Sequence, residues 1–448
     1  MPACRDGGAQ PRLDLIEGAP LRRAVIAFTA FLGGLILLLT VPAHAAAPEQ
    51  SLRGTLTFQG QPVNGVKIVV TTESGQPVQE VTSNAQGTWE VPIEEPGQYK
   101  VTLDAATLPQ NMAIRGGNNQ RAPTVYEGNP TTVLFALQAK AADGAAAPDE
   151  GGGSAFWQRA AQLTFEGFNL GLIIALAALG LSLIYGTTGL TNFAHGELVT
   201  LGALLAYLVN VPFGLHIIPA AVIAVMLAGG IGYAQDRFFW GQLRRRGTGI
   251  IAAMIVSIGV ALFMRYLFLI LFGGETQAYA QYNAQAGLQL GPISATPKNL
   301  ISMGIELIVL IAVGFALLRT RTGKAARAVA DNPALAASSG INVDRIIRII
   351  WTGGGAIAAL AGVMLGLSQN LKFTMGQELL LLIFAGVTLG GLGTAFGALI
   401  GSIIVGLFIQ VSTLWIPPEL KNVGALAVLI LVLLFRPQGI LGRRERIG

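Results

Sequence analysis

Cysteine is almost missing from this chain of 448 residues. Cys4 is the one thiol, and it lies ahead of an apolar run that reads as an export leader. Beyond that leader there is no disulfide and no thiolate metal site. Histidine is nearly as scarce, and His44, His195 and His216 are far apart in sequence. Without clustered ligands no metal site is expected, no cofactor is called for, and no catalytic set can be assembled. Charged residues are 12% of the chain, where an average soluble domain has about 25%. The phosphate-binding pattern G-x-x-x-x-G-K-[ST] does not occur, which excludes ATP hydrolysis by a P-loop in this chain. The net charge of +5 is modest, and Lys and Arg gather in short segments between apolar runs. That pattern fits membrane topology and argues against nucleic acid as a partner.

What is present is apolar: 52% of residues are hydrophobic, and the mean hydropathy is +0.59. The chain falls into four parts. Residues 1–46 have Arg22 and Arg23 before the run Ala24 to Val41, then Ala43-His44-Ala45 as a small-x-small cleavage site. This reads as a signal peptide, with an uncleaved anchor as the alternative. Residues 47–138 alternate with period two at Gly54 to Phe58, Val66 to Val70, Thr88 to Val91 and Tyr99 to Leu103. Turn pairs such as Asn64-Gly65 and Ser74-Gly75 separate these runs. The pattern predicts a small extracytoplasmic antiparallel β-sandwich, expected to act as a spacer or stability module. Residues 139–155 are small, polar and glycine-rich, a linker with nothing to bury.

From 156 to 443 the chain reads as membrane. Apolar segments fall near 166–185, 193–211, 214–235, 249–272, 300–318, 346–370, 379–391, 395–414 and 422–435. The expected fold is a multi-span α-helical bundle with eight or nine transmembrane helices. The stretch 379–414 is broken by glycines and is the weakest place in that count. Arg237 and Arg244 to Arg246 lie in one loop, and Arg319 to Arg348 hold a second basic set. Arg436, Arg443, Arg444 and Arg446 form a third, at the tail. Placing all three inside puts the C-terminus in the cytoplasm.

Two polar breaks stand out. Tyr185 to Glu197 reads YGTTGLTNFAHGE, and Leu389 to Thr394 reads LGGLGT. Backbone freed by such a break must be buried in protein or face a water-filled cavity. Broken helices in transporters place half-helix ends at a pathway or gate. Asn192, His195, Gly196, Glu197, Gly390, Gly391 and Gly393 are therefore candidate pathway or gate residues. The competing reading is a pair of tight turns whose polar groups satisfy the backbone. Asn192 is expected to cap the helix whose first turn holds His195 and Glu197. The paired breaks also hint at an internal repeat.

Intramembrane charge is scarce; Arg265 lies in the fourth run and Glu306 in the fifth, and their heights by residue count predict an ion pair. In the basic segment RTGKAARAVADNPALAASSG (321–340), Gly323 to Ala330 is expected to extend the helix before it. Asn332 and Pro333 start a new one, of about two turns, that ends at Gly340. So short a helix is unstable alone. Its small side chains suit a partner's groove.

These stretches resemble the permease subunits of branched-chain amino acid ABC importers, the LivH-type group. Asn192-Phe193-Ala194-His195-Gly196-Glu197 is similar to that family's best-known motif, and Gly340-Ile341-Asn342-Val343-Asp344-Arg345 to its GI(N/D)VDR segment. Leu389 to Thr394 resembles its LGGLGS, with Thr394 replacing Ser. Leu431 to Gly442 resembles its C-terminal signature. The resemblance covers about 163–443. Separately, Gly54 to Leu103 resembles carboxypeptidase-regulatory-like and transthyretin-like domains. The permease resemblance implies a half-pore in the cell membrane, working with a second permease, two cytoplasmic ATPases and an extracytoplasmic substrate-binding protein. The 321–341 segment supplies the candidate ATPase-coupling residues Gly323, Arg327, Asn332, Pro333, Ala336, Gly340 and Ile341, with the helix at 333–339 as the expected dock. Urea and short amides are the near alternative to branched-chain amino acids. An ion-coupled secondary transporter is the alternative of another class, and it calls for several buried carboxylates.

Overall fold

The computed structural model describes residues 51–440, less scattered positions, the stretches 115–118, 126–130 and 140–151, and most of 421–438. The leader, most of the linker, most of the ninth apolar run and the basic tail lie outside the described residues. Two compact units divide the chain, one ending at Phe156 and one running on from Trp157.

The first unit is β-rich. One sheet pairs Ser51–Thr55 with Thr88–Pro92 in antiparallel register, Leu52 opposite Val91. A larger sheet orders Thr124–Val125, Gly97–Leu103, Lys67–Thr72 and Pro77–Thr82, with Ile68 opposite Leu103. The period-two alternation turns one face of each strand inward. Leu52, Trp89 and Val91 from the first sheet join Ile68, Val70, Val101 and Leu103 from the second in one buried cluster. The expectation of a wholly antiparallel arrangement needs correction, because Ser51–Thr55 also pairs in parallel with Thr131–Thr132. A parallel pair needs a long crossover, and here the chain builds the second sheet between the two strands.

The second unit is helical. Helix α1 spans Gly152–Thr188 and α2 spans His195–Asn210. Helix α3, Ile217–Gln235, continues through a π-turn at Asp236–Trp240 into α4, Gly241–Arg245. Then come α5 (Ile250–Phe272), α6 (Pro297–Arg319), α7 (Arg321–Asp331), α8 (Pro333–Ser338), α9 (Val343–Gln369), α10 (Met375–Gly390) and α11 (Ala395–Val411). A short antiparallel hairpin, Leu288–Leu290 with Ile293–Ala295, sits between α5 and α6. Helix α1 begins inside the expected linker.

Among the described residues six helical stretches are long and apolar enough to cross a membrane, fewer than the eight or nine expected. The difference comes partly from α2 and α10, which have 16 residues each. At ~1.5 Å per residue such a helix is ~24 Å long, short of a hydrocarbon core of ~30 Å. Both are nonetheless deeply packed, and nearly all of α2 is buried. Helices α5 and α6 instead leave most of their apolar surface outside the bundle.

Helix α7 is separate from α6, not the continuation that the sequence predicts. Thr320 breaks the run in extended conformation, and its hydroxyl accepts the Gly323 N–H at 3.0 Å. The returning chain passes so close that a Cβ on Gly323 would overlap the carbonyls of Ala316 and Leu317.

Candidate functional site at the two broken helices

Helix α1 ends because its own hydroxyls compete for its last carbonyls. Thr187 and Thr188 both donate back to Ile184 O, and Gly189 takes a left-handed turn at φ 69°. Residues 189–194 then run without helix back into the bundle. The Phe193 N–H donates to Ser257 Oγ on α5 at 3.1 Å. The Phe193 ring lies 5.2 Å from Phe384 on α10. Asn192 is fully buried. Its Oδ1 accepts the Ala194 N–H at 3.1 Å, closing a turn ahead of α2. Ala194 holds the cap position and makes no side-chain cap bond, which corrects the cap expected at Asn192.

His195 and Glu197 stand in the first turn of α2, both buried. His195 Nε2 lies 2.9 Å from the Ala177 carbonyl. A carbonyl only accepts, so Nε2 carries the proton. Glu197 Oε1 accepts from Arg265 Nε at 3.2 Å and Nη2 at 2.9 Å. Arg265 is thus engaged by Glu197 and not by Glu306. The expected Arg265–Glu306 pair is not formed, and both Glu306 oxygens lack a hydrogen-bond partner among the described residues. Asn192 Nδ2, His195 Nδ1 and Glu197 Oε2 are buried and likewise unpartnered among the described residues.

The start of α2 meets the start of α10. Gly196 and Gly376, each the second residue of its helix, pack backbone against backbone. A Cβ on either would overlap the other's carbonyl. The Gly376 N–H donates to Thr200 Oγ1 at 3.0 Å. The chain echoes itself here: Phe193-Ala194-His195-Gly196-Glu197 and Phe373-Thr374-Met375-Gly376-Gln377 share Phe and Gly at one spacing. In space the start of α2, just after the first break, thus packs on the start of α10, just after residues 370–374. The Phe-x-x-Gly echo is the sequence signal for this crossing.

The second break adjoins the other end of the first, where α1 stops. Gly390 packs on Gly397, Gly391 follows α10 at φ 112°, and Gly393 at φ 78° lies beside Tyr185 and Gly186 at the end of α1. Thr394 Oγ1 donates to Gly391 O at 2.8 Å. A cleft of about 1050 Å³ opens here, lined among others by Tyr185, Gly186, Lys324, Arg327, Pro333 and Gly393. Arg327 and Pro333, two of the candidate coupling residues, thus adjoin the end of α1 and the glycine break. Asn332 Oδ1 accepts the Leu335 N–H at 3.0 Å, with Pro333 opening α8. Arg327 donates weakly to Leu318 O at 3.4 Å. Gly340 takes φ 85°, and the Ile341 N–H returns to Ala336 O at 3.0 Å. Ala336 is buried in an apolar cluster with Ala326, Val329, Ile184 and Leu190. Among the described residues no group of His, Cys, Asp or Glu is placed to hold a metal ion.

Comparison with known proteins agrees with this architecture. The family described as "Branched-chain amino acid transport system / permease component" matches residues 163–433. The high-affinity branched-chain amino acid transport system permease protein LivH of Escherichia coli K12 is 31% identical over 301 residues, covering 63% of this chain and 96% of that one. A probable LivH of Methanocaldococcus jannaschii is 28% identical over 287 residues, 60% of this chain and 89% of its own. The LivM permease of Escherichia coli K12 is 26% identical over 301 residues, 61% and 68%. The strands at 51–139 lie outside the matched family region. From 163 to 433 the residues, the broken helices and the relatives agree, and this multi-pass membrane chain belongs to the family of branched-chain amino acid transport permeases.

Proposed function

We propose that this chain forms half of the membrane pathway of an ATP-driven ABC importer for branched-chain, hydrophobic amino acids. A second permease subunit completes the pore, two cytoplasmic ATPases drive it, and an extracytoplasmic binding protein delivers the solute. The solute class rests on the relatives' names. The β-rich unit lies outside the membrane, and the Arg-rich segments and C-terminus lie inside, following the positive-inside rule. Asn192, His195, Gly196 and Glu197, with Gly390, Gly391 and Gly393, act as the gate. Helix α8, framed by Gly323, Arg327, Asn332, Pro333, Ala336, Gly340 and Ile341, seats in the ATPase.

One observation supports this reading most. Ala336 of α8 shares an apolar cluster with Leu190, two residues from Asn192, so a push on α8 meets the gate segment through packed side chains. Burying a carboxylate in that cluster is costly. In the Ala336→Glu variant, ATP hydrolysis by the assembled complex is expected to persist while uptake falls to background. Normal uptake by a correctly inserted variant contradicts the coupling role. Deleting 47–140 is expected to leave membrane insertion and ATP-driven uptake in place. Loss of uptake with insertion intact would make the β-rich unit a docking module instead of a spacer.

A further inference from the structure

The π-turn at Asp236–Trp240 has no part in the reading above, and its surroundings are unusual. A π-turn is a rare insertion, found most often at functional sites. Here it rotates the chain so that Asp236 and Trp240 both point inward, each almost fully buried.

Asp236 is held by two cations from different elements. Arg244 Nη2 on α4 lies 2.7 Å from its Oδ1, and Arg348 Nε on α9 lies 3.7 Å from its Oδ2. The Arg348 guanidinium also covers the Tyr233 ring, 5.6 Å from the centroid. One turn before Arg348, Asp344 bonds Arg245 Nη2 at 3.1 Å. The π-turn and α4 are thus tied twice to the first turns of α9. Those turns follow α8 through only four residues, 339–342.

Trp240 stacks on Trp351 of α9, with ring centroids 5.5 Å apart and planes 21° apart. Both rings belong to the apolar cluster that holds Ala326 and Val329 of α7, Ala336 of α8, and Leu190. Trp240 also borders a cavity of about 50 Å³, lined too by Thr188, Leu190, Thr248 and Ile250. Interiors are normally close-packed. A cavity of this size, with room for a few waters, lies where the ring meets the start of the 189–194 segment. The Nε1 atoms of both tryptophans have no partner among the described residues, so no direct bond pins either ring in place.

We propose that this π-turn is the joint that carries movement of α7 and α8 to the 189–197 segment. Trp240 is the moving side chain. Asp236 is the positioning residue that holds the turn to α9 through Arg348. The proposal rests on the importer reading, and it adds a residue-level route to it.

The test uses the full complex, with Cys4→Ser to remove the native thiol and Thr191→Cys as a reporter on the gate segment. The parent's thiol-labelling rate is expected to change between ATP-bound and nucleotide-free states. In Asp236→Asn and Trp240→Leu backgrounds, the ATPases are expected to co-purify and hydrolyse ATP. Uptake falls by roughly tenfold, within the usual range of coupling between sites, and labelling no longer responds to nucleotide. A merely structural role lowers yield and ATPase recovery without flattening that response. The conservative Trp240→Phe is expected to restore both uptake and response. Retained ATPase with retained uptake in Asp236→Asn and Trp240→Leu overturns the joint alone. A parent chain that recovers no ATPase overturns the importer reading, and the joint with it.

Discussion

Replacing Arg265 with alanine is expected to destabilise the protein by about 3–5 kcal/mol, because the change leaves the Glu197 carboxylate buried without its counter-ion. Glu197 is only 1% exposed, and Arg265 donates two hydrogen bonds to its Oε1. The double variant Arg265→Ala with Glu197→Gln is expected to recover much of that loss, since no buried charge is then stranded. A double-mutant cycle read by thermal melting in detergent gives the coupling directly. A strong coupling between Arg265 and Glu197, with near-additive effects for Arg265 and Glu306, is the expected result. The reverse pattern refutes the assignment. Uptake is expected to follow stability in the single variant, because the pair fixes the first turn of α2 against α5 beside Asn192 and His195.

Substitution of either paired glycine is expected to be the second large effect. In Gly376→Ala a methyl group falls on the Gly196 carbonyl, and the mirror change Gly196→Ala falls on Gly376. Helices α2 and α10 must then move apart, at a cost of about 1–3 kcal/mol or more. Uptake is expected to disappear even where the protein inserts and stays folded, since the displaced segments are the proposed gate. Gly230→Ala is the control. It lies in α3 with open space around its would-be Cβ, and alanine favours helix there. If Gly376→Ala matches Gly230→Ala in melting temperature and uptake, the close packing at this crossing does not matter.

These two sites also mark where sequence reading ends. The break at 189–194 and the short α8 were both legible. Polar and glycine residues interrupting apolar runs, and Asn-Pro opening a two-turn helix, encode local structure directly. The partner of Arg265 was not legible. Helices α3, α5 and α11 are apolar around nearly their whole circumference, so no polar stripe shows which face meets which neighbour. Counting residues along a helix gives depth and not azimuth. It also assumes that each apolar run spans the membrane, and α2 starts only after six non-helical residues, 189–194. Glu197 therefore never entered the comparison. The Gly196–Gly376 crossing was legible in principle from the Phe-x-x-Gly echo, but the six-residue LGGLGT break was the louder signal. The π-turn left no sequence trace. Its buried Asp236 pairs with Arg244 and also with Arg348, more than a hundred residues away, and periodicity says nothing about such a partner.

The central claim is ATP-driven import through a pore made with partner subunits. It is tested most directly by purifying the chain from its own membrane with whatever accompanies it, reconstituting the result in liposomes, and measuring leucine uptake. The account predicts recovery of an ATPase and a second permease, and leucine accumulation that requires ATP on the side of the Arg-rich loops. A partner-free chain that accumulates leucine under an ion gradient alone would contradict it.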